Sequence, residues 1–435
     1  MIQKISSLFS GNEILQKSSV SLLLKITGSI FGYFFLLLVT RNIGPSSWGM
    51  YVLFLSVLNI SSIFARLGID TLTLKLVASS NSILNQVKSI YISSVRLVVL
   101  FSLIVSCILY LNSNSIAYFI FHNISFSFII KWISCLLPIF SLICVNENLF
   151  RGLKMIKEFA FFQKTSKMLF SVIFFGVFYF VFKIGDTQTA ILSYISALVV
   201  IFFLSTFLVY KTIISGCFLT FLNSNKMLKQ SIPMMMSSSI LLLMSWADSL
   251  MIGSFIGKYE VGIYNVAVKV ALLTSLTLSA VNSISAPRIS ESYNNNNNLE
   301  FRKIVLHTTK TIFFSTIPII IVIFMFPKYI LSFFGDDFLV AKSALLILAC
   351  SQVINAMSGS VGIILNMTGK EKIFRNILLI SLLINIILNL VLIPIYAIEG
   401  AAIASATSLI FWNLYSVFYV YKNYGVLTLI SFRRE

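Results

Sequence analysis

Residues 245–269 read SWADSLMIGSFIGKYEVGIYNVAVK, and two features of this stretch decide the fold. It is apolar enough to cross a bilayer, yet Asp248 stands in mid-segment and Lys269 in the next apolar run. A charge at the bilayer centre costs ~2.5–3.5 kcal/mol on insertion scales, so such residues face a partner or a water-filled cavity. The turn GKYEVGIY at 257–264 also has an echo, GPSSWGMY at 44–51. Gly44 pairs with Gly257, Gly49 with Gly262 and Tyr51 with Tyr264, each 213 positions apart (257 − 44), close to half of 435. The chain reads as a duplication.

Working outward, the composition excludes a soluble domain. Hydrophobic residues make up 58% and charged residues only 11%, against about 25% charge in soluble proteins. Twelve stretches reach the ~20 residues that a spanning helix needs. They fall at roughly 18–39, 48–68, 90–111, 126–149, 159–182, 188–210, 232–256, 261–286, 307–328, 338–366, 373–397 and 399–421. The expected organisation is an amphipathic leader (1–17), an N-lobe (18–210), a linker (211–231), a C-lobe (232–422) and a tail (423–435). Ile2, Ile5, Leu8 and Phe9 recur at helical spacing, which suits a leader lying on the membrane surface.

The net charge of +18 has a simple origin. With the N-terminus inside, alternate connections hold twenty-three lysines and arginines, and the intervening ones hold five. That asymmetry follows the positive-inside rule and predicts that both termini are cytoplasmic. The charge is therefore a topology signal, and no nucleic-acid partner is inferred. Five cysteines without a C-x-x-C motif and two histidines, His122 and His307, offer no metal site, and no cofactor is expected.

A second echo supports the first: Asn148-Leu-Phe-Arg-Gly-Leu-Lys and Asn366-Met-Thr-Gly-Lys end segments four and ten, with Gly152 and Gly369 217 apart (369 − 152). Six helices per half return the chain to its starting side, so the halves are parallel repeats. The expected fold class is an all-α polytopic membrane protein of about twelve helices in two six-helix lobes. The Asn294–Asn298 tract reads as a low-complexity spacer.

These motifs resemble a known family. Arg41-x-x-Gly44-Pro45-x-x-x-Gly49-x-Tyr51 looks like its first outer loop, and Ala65-Arg66-Leu67-Gly68 like the end of its second helix. Ala247-Asp248-x-Leu250-x-Ile252-Gly253 with Val261-Gly262-x-Tyr264 looks like its seventh-to-eighth hairpin, and Ala286-Pro287-x-Ile289-Ser290 like the end of its eighth helix. Together they resemble the polysaccharide-transporter branch of the multidrug/oligosaccharidyl-lipid/polysaccharide exporter superfamily, especially Wzx-type O-antigen flippases. The resemblance implies two lobes around a central cavity in a bacterial inner membrane. It implies movement of an undecaprenyl-pyrophosphate-linked oligosaccharide to the periplasmic leaflet by alternating access, coupled to H+ or Na+. The implied partners are that lipid-linked substrate, membrane lipids, and a polysaccharide polymerase with its chain-length machinery.

The charged residues then fall into two groups. Lys25 lies ~10 Å inside segment one and Arg96 at similar depth in segment three; either contacts a pyrophosphate or snorkels to the interface. Asp248 and Lys269 stand at equal depth on one hairpin and are expected to pair, as part of the substrate path or as a structural lock. Arg66 with Asp70 and Glu147 with Arg151 have four-residue spacing, so each is expected to form a gate or structural ion pair. A drug exporter of the same superfamily would want acids rather than bases in its cavity. A membrane-embedded polymerase would want a large outer loop, and an acyltransferase a buried histidine. The absence of the last two features leaves no enzyme reading.

Overall fold

In the computed structural model the described residues are 23–429, apart from 81–83, 186, 215–221 and 296. The leader at 1–17 and the last six residues of the tail lie outside them. The described chain is helical throughout, without strands.

Among the described residues, nine helices are long and apolar enough to cross a membrane, and two bent pairs make eleven. In the first half the spans are α1 (Leu23–Asn42), α2 (Pro45–Arg66), α4 (Leu84–Leu111), α6 (Ser127–Gly152), α7 (Ile156–Val181) and α8 (Thr189–Ile213). Between them lie α3 (Ile69–Ser79), which continues α2 past a break, and the short α5 (Ser113–Phe121). The second half holds α9 (Ser224–Phe255), the bent pair α10 (Lys258–Ala271) and α11 (Thr274–Asn294), and α12 (Asn298–Met325). There follow the short α13 (Pro327–Ser332), α14 (Lys342–Ser358) with its extension α15 (Val361–Met367), and α16 (Glu371–Tyr424). The 54-residue α16 is two spans, because Ala397 breaks it with φ 48° and ψ −125°. The total is twelve.

Contacts divide the chain into two compact units, the first ending at Ser239 and the second beginning at Ile240. The division falls inside α9, within the expected seventh segment.

The duplication is visible in the backbone. Gly44 and Gly257 are the N-caps of α2 and α10, both with positive φ (91° and 152°) and extended ψ. Tyr51 and Tyr264, two turns further on, are both fully buried. The second echo needs correction: Gly369 has φ 74°, but in the first half the left-handed residue is Lys154, φ 61°, rather than Gly152. That moves the offset to 215 (369 − 154), nearer the 213 of the first echo. The asparagine tract is also more than a spacer. α11 runs to Asn294, and Asn297 caps α12, accepting from the Glu300 N–H at 3.1 Å and donating to its carboxylate at 2.9 Å. That reciprocal exchange satisfies an orphan donor at the helix start.

Gly68 is the tightest joint of the first unit. Its φ is +74°, and a Cβ there would lie 2.5 Å from the Ser231 carbonyl oxygen and 2.7 Å from the Met235 nitrogen. Neither obstacle can move as a side chain would. Gly68→Ala adds left-handed strain of ~1–2 kcal/mol to a backbone clash. The expected result is a several-fold loss of membrane-inserted protein, read by quantitative blotting. Normal abundance of the alanine variant would show that α3 and α9 can separate without cost.

Candidate functional site

The second unit buries one carboxylate among neutral donors. Asp248 lies on α9, seven residues before its end, ~10 Å along the axis. Its Oδ1 accepts from Asn385 Nδ2 at 3.0 Å and Asn389 Nδ2 at 2.7 Å, both in α16. Its Oδ2 accepts from the Tyr264 hydroxyl of α10 at 2.8 Å and from the Ser405 hydroxyl beyond the Ala397 bend. Asn385 and Asn389 stand one helical turn apart, so both amides face the same point. Asp248, Tyr264, Asn385 and Asn389 are all buried, and Ser405 is half-buried.

Two properties of this cluster matter for chemistry. The carboxylate has full hydrogen-bond satisfaction, the arrangement that lets a charge persist in a low-dielectric interior. The Asn389 carbonyl oxygen is buried and has no hydrogen-bond partner among the described residues. That oxygen adds an acceptor beside the carboxylate. Rotating either amide by half a turn would exchange N–H for oxygen and add acceptors around the same centre. One acid supplies one negative charge, and no group of three His, Cys, Asp or Glu able to hold a metal occurs among the described residues.

The duplicated position in the first half is different. Asp248 and Tyr264 correspond, at the 213 offset (248 − 35, 264 − 51), to Phe35 and Tyr51. Those rings meet edge to face at 5.3 Å, with Phe175 5.9 Å from Phe35 and Tyr194 5.7 Å from Tyr51. The Tyr51 hydroxyl has no hydrogen-bond partner among the described residues. The same backbone frame thus carries an aromatic core in one half and a buried acid in the other.

The first unit has its own charges. Arg66 Nη1 meets Asp70 Oδ2 at 2.8 Å, the expected pair. The two do not share a regular helix face, because Leu67 (φ 46°) and Gly68 break the chain between them, so the pair clamps the α2–α3 joint. Asn148 Nδ2 approaches the same Asp70 oxygen at 3.4 Å. Glu147 does not pair with Arg151. Its partner is Lys167 of α7, Nζ to Oε1 2.7 Å, a close ionic approach without hydrogen-bond alignment. Arg151 is exposed and lies 5.4 Å over the Phe159 ring. Lys167 reads in the sequence as a loop residue, but α7 begins at Ile156 and places it eleven residues deep.

Three bases remain among the candidates. Lys25 on α1 and Arg96 on α4 are exposed. Lys269 on α10 is half-buried and is not among the partners of Asp248, so the expected Asp248–Lys269 pair is replaced by the amide and hydroxyl cluster. Asn385, Asn389, Ser405 and Tyr264 are functional candidates that the linear reading missed. The Asn-x-x-x-Asn spacing inside an apolar run was the available signal.

Comparison with known proteins agrees with this architecture. A family model described as polysaccharide biosynthesis protein matches residues 14–293, and the MatE model matches 233–391. The chain is 30% identical over 165 residues to the probable low-salt glycan biosynthesis flippase Agl15 of Haloferax volcanii, covering 38% of this chain and 35% of that protein. It is 25% identical over 193 residues to the capsular polysaccharide biosynthesis protein CapF of Staphylococcus aureus, covering 44% and 48%. The matched part thus spans less than half the length of these relatives. Among solved structures, lipid II flippase MurJ in an inward closed conformation superposes with TM-score 0.75 at 16% identity, covering 93% of this chain and 87% of that one. An inward-facing multidrug resistance MATE transporter gives 0.73 at 15%, covering 94% and 98%. These two likenesses concern the fold. The match over 14–293, more than half of the chain, shows that it belongs to the polysaccharide biosynthesis protein family, the polysaccharide-transporter branch of the superfamily.

Proposed function

We propose that the protein flips an undecaprenyl-pyrophosphate-linked oligosaccharide, an O-antigen-type repeat unit, from the cytoplasmic to the periplasmic leaflet of a bacterial inner membrane. Family membership supports the glycan part of this reading, as do relatives named as a glycan biosynthesis flippase and a capsule biosynthesis protein. The observation that carries the transport part is the Asp248 cluster. A buried carboxylate held by Tyr264, Asn385, Asn389 and Ser405 joins three helices of one unit, so an ion entering it changes how they pack.

Alternating access needs an ion with different affinity in two conformations, since equal affinity shifts no population. With the site empty, amide and hydroxyl donors satisfy the carboxylate. With Na+ or H+ bound, those donors are released and the amides turn their oxygens inward. Coupling therefore resides in the second unit, and the first unit carries fixed ion pairs. The basic loops set the orientation, with both termini cytoplasmic. Within the first unit, Lys25 and Arg96 are the bases proposed to meet the pyrophosphate.

Deletion of the gene is expected to abolish surface glycan while its lipid-linked repeat unit accumulates on the cytoplasmic leaflet. Thin-layer separation of extracted lipids reads the second part. Normal surface glycan in a deletion strain with no second flippase would overturn the proposal. The MatE match over 233–391 supports one other reading, a cation-coupled drug exporter. Under that reading, deletion lowers drug tolerance and leaves surface glycan intact.

A further inference from the structure

The duplication extends to a feature that neither ion coupling nor substrate passage uses. In each half, a short helix and a 3-10 turn join the third and fourth spans. In the first half these are α5 and the turn Ile124–Phe126; in the second they are α13 and the turn Asp336–Ala341. Their buried residues align at one offset of 214: Ser113 with Pro327 (327 − 113) and Ala117 with Leu331 (331 − 117). Phe119 and Phe333, at the same offset, are both exposed.

Each short helix is pinned beneath and bare above. Phe121 stacks on Phe126 with centroids 4.2 Å apart, which fixes α5 against the start of α6. Opposite that face, Tyr118, Phe119 (72% exposed) and Ile124 point outward, with Ser115 one turn before Phe119 on the same face and polar Asn114 on the flank. Around α13, Phe326 and Tyr329 (72% exposed) do the same, with Lys328 alongside and Asp336 and Asp337 beyond. These aromatics continue the exposed apolar surface of the spans. Tyr110, Leu111 and Phe128 lead into the first patch, and Val322 and Met325 into the second. Lys131 lies 5.9 Å over the Tyr110 ring, a cation at that same level.

We propose that each half seats this short helix in the headgroup–acyl boundary of the leaflet opposite the basic loops, with Phe119 and Tyr329 as the inserted side chains and phospholipid as their partner. Apolar side chains with polar neighbours at a span end match the interfacial zone, where amphipathic aromatics concentrate. Left in water, each patch would be an exposed apolar surface joined to a lipid-facing one.

The test uses the full-length protein in phospholipid vesicles, with Phe119→Trp and Tyr329→Trp read as the emission added over the parent protein. Lipids brominated at carbons 6 and 7 are expected to quench the added emission at least twice as strongly as lipids brominated at carbons 11 and 12. Aqueous iodide should leave it within a tenth of its starting value. Asp337→Trp, an exposed charged position in the turn after α13, should show the reverse and be quenched by iodide. Iodide quenching of the 119 and 329 positions equal to that at 337 would overturn the proposal, placing the helices in water. Insensitivity to both bromine and iodide would overturn it too, because protein rather than lipid would then cover the patch.

Discussion

Asp248→Asn is expected to reduce glycan export to the level of the deletion strain while the protein stays at normal abundance in the membrane. The substitution is nearly isosteric, so packing around α9, α10 and α16 is kept and only the charge is lost. An asparagine offers one acceptor oxygen where the carboxylate offers two, and four donors now converge on it. Each donor left unpaired would cost ~1–3 kcal/mol. Rotation of the Asn385 and Asn389 amides supplies oxygens to the new amide and recovers most of that. Fold is thus preserved while the site can no longer hold a cation or a titratable proton. Tyr264→Phe removes a single donor to a charged acceptor, worth ~1.5–3 kcal/mol, from the ion-free cluster, and should shift half-saturation by the ion to an at least about tenfold lower concentration without abolishing export. The pair of variants is read by surface glycan, membrane abundance and the Na+ or pH dependence of flipping in vesicles. A fully active Asp248→Asn at normal abundance would remove Asp248 from coupling.

The sequence was most informative where a physical signal is local. Apolar length located the twelve spans, and Gly44 and Gly257 disclosed the duplication because a positive-φ cap leaves a glycine at a fixed place. Arg66 and Asp70 were legible as a pair, although the break at Leu67 and Gly68 between them was not. Non-local pairing was hidden. Asp248 meets Asn385 and Asn389 across 137 and 141 residues, and hydropathy treats asparagine in an apolar run as a minor interruption. Lys269, an opposite charge at matching depth on the next helix, was the natural partner, but neutral donors from that helix and from α16 took its place. Lys167 was hidden differently. Its neighbours Lys164, Thr165 and Ser166 read as a basic loop, so the positive-inside count absorbed a lysine that lies inside α7. Lys88 is a second case, buried within α4. Removing both leaves the asymmetry between the two faces intact, because it rests on some twenty other residues.

Lys167→Met is expected to deplete the folded protein severely, because it strands Glu147. The pair is almost wholly buried, with side-chain exposures of 11% and 9%, and the ammonium also lies 5.4 Å over the Phe140 ring. Breaking a buried ion pair from one side typically costs about 3–5 kcal/mol, because the remaining charge keeps its desolvation penalty and loses its compensation. That is comparable to a large share of the stability of an ordinary domain. Glu147→Leu alone should do similar damage by leaving Lys167 unpaired. Replacing both partners at once removes both charges and fills the site with apolar volume, a change that is often neutral or stabilising. The double variant Glu147→Leu, Lys167→Met should therefore recover abundance well beyond either single variant, a coupling that a double-mutant cycle measures directly. Recovery of surface glycan alongside abundance is expected, because the pair locks α6 to α7 within one unit and is remote in sequence from the coupling acid. A double variant as depleted as the singles would show that Glu147 and Lys167 do not stabilise the fold as a pair.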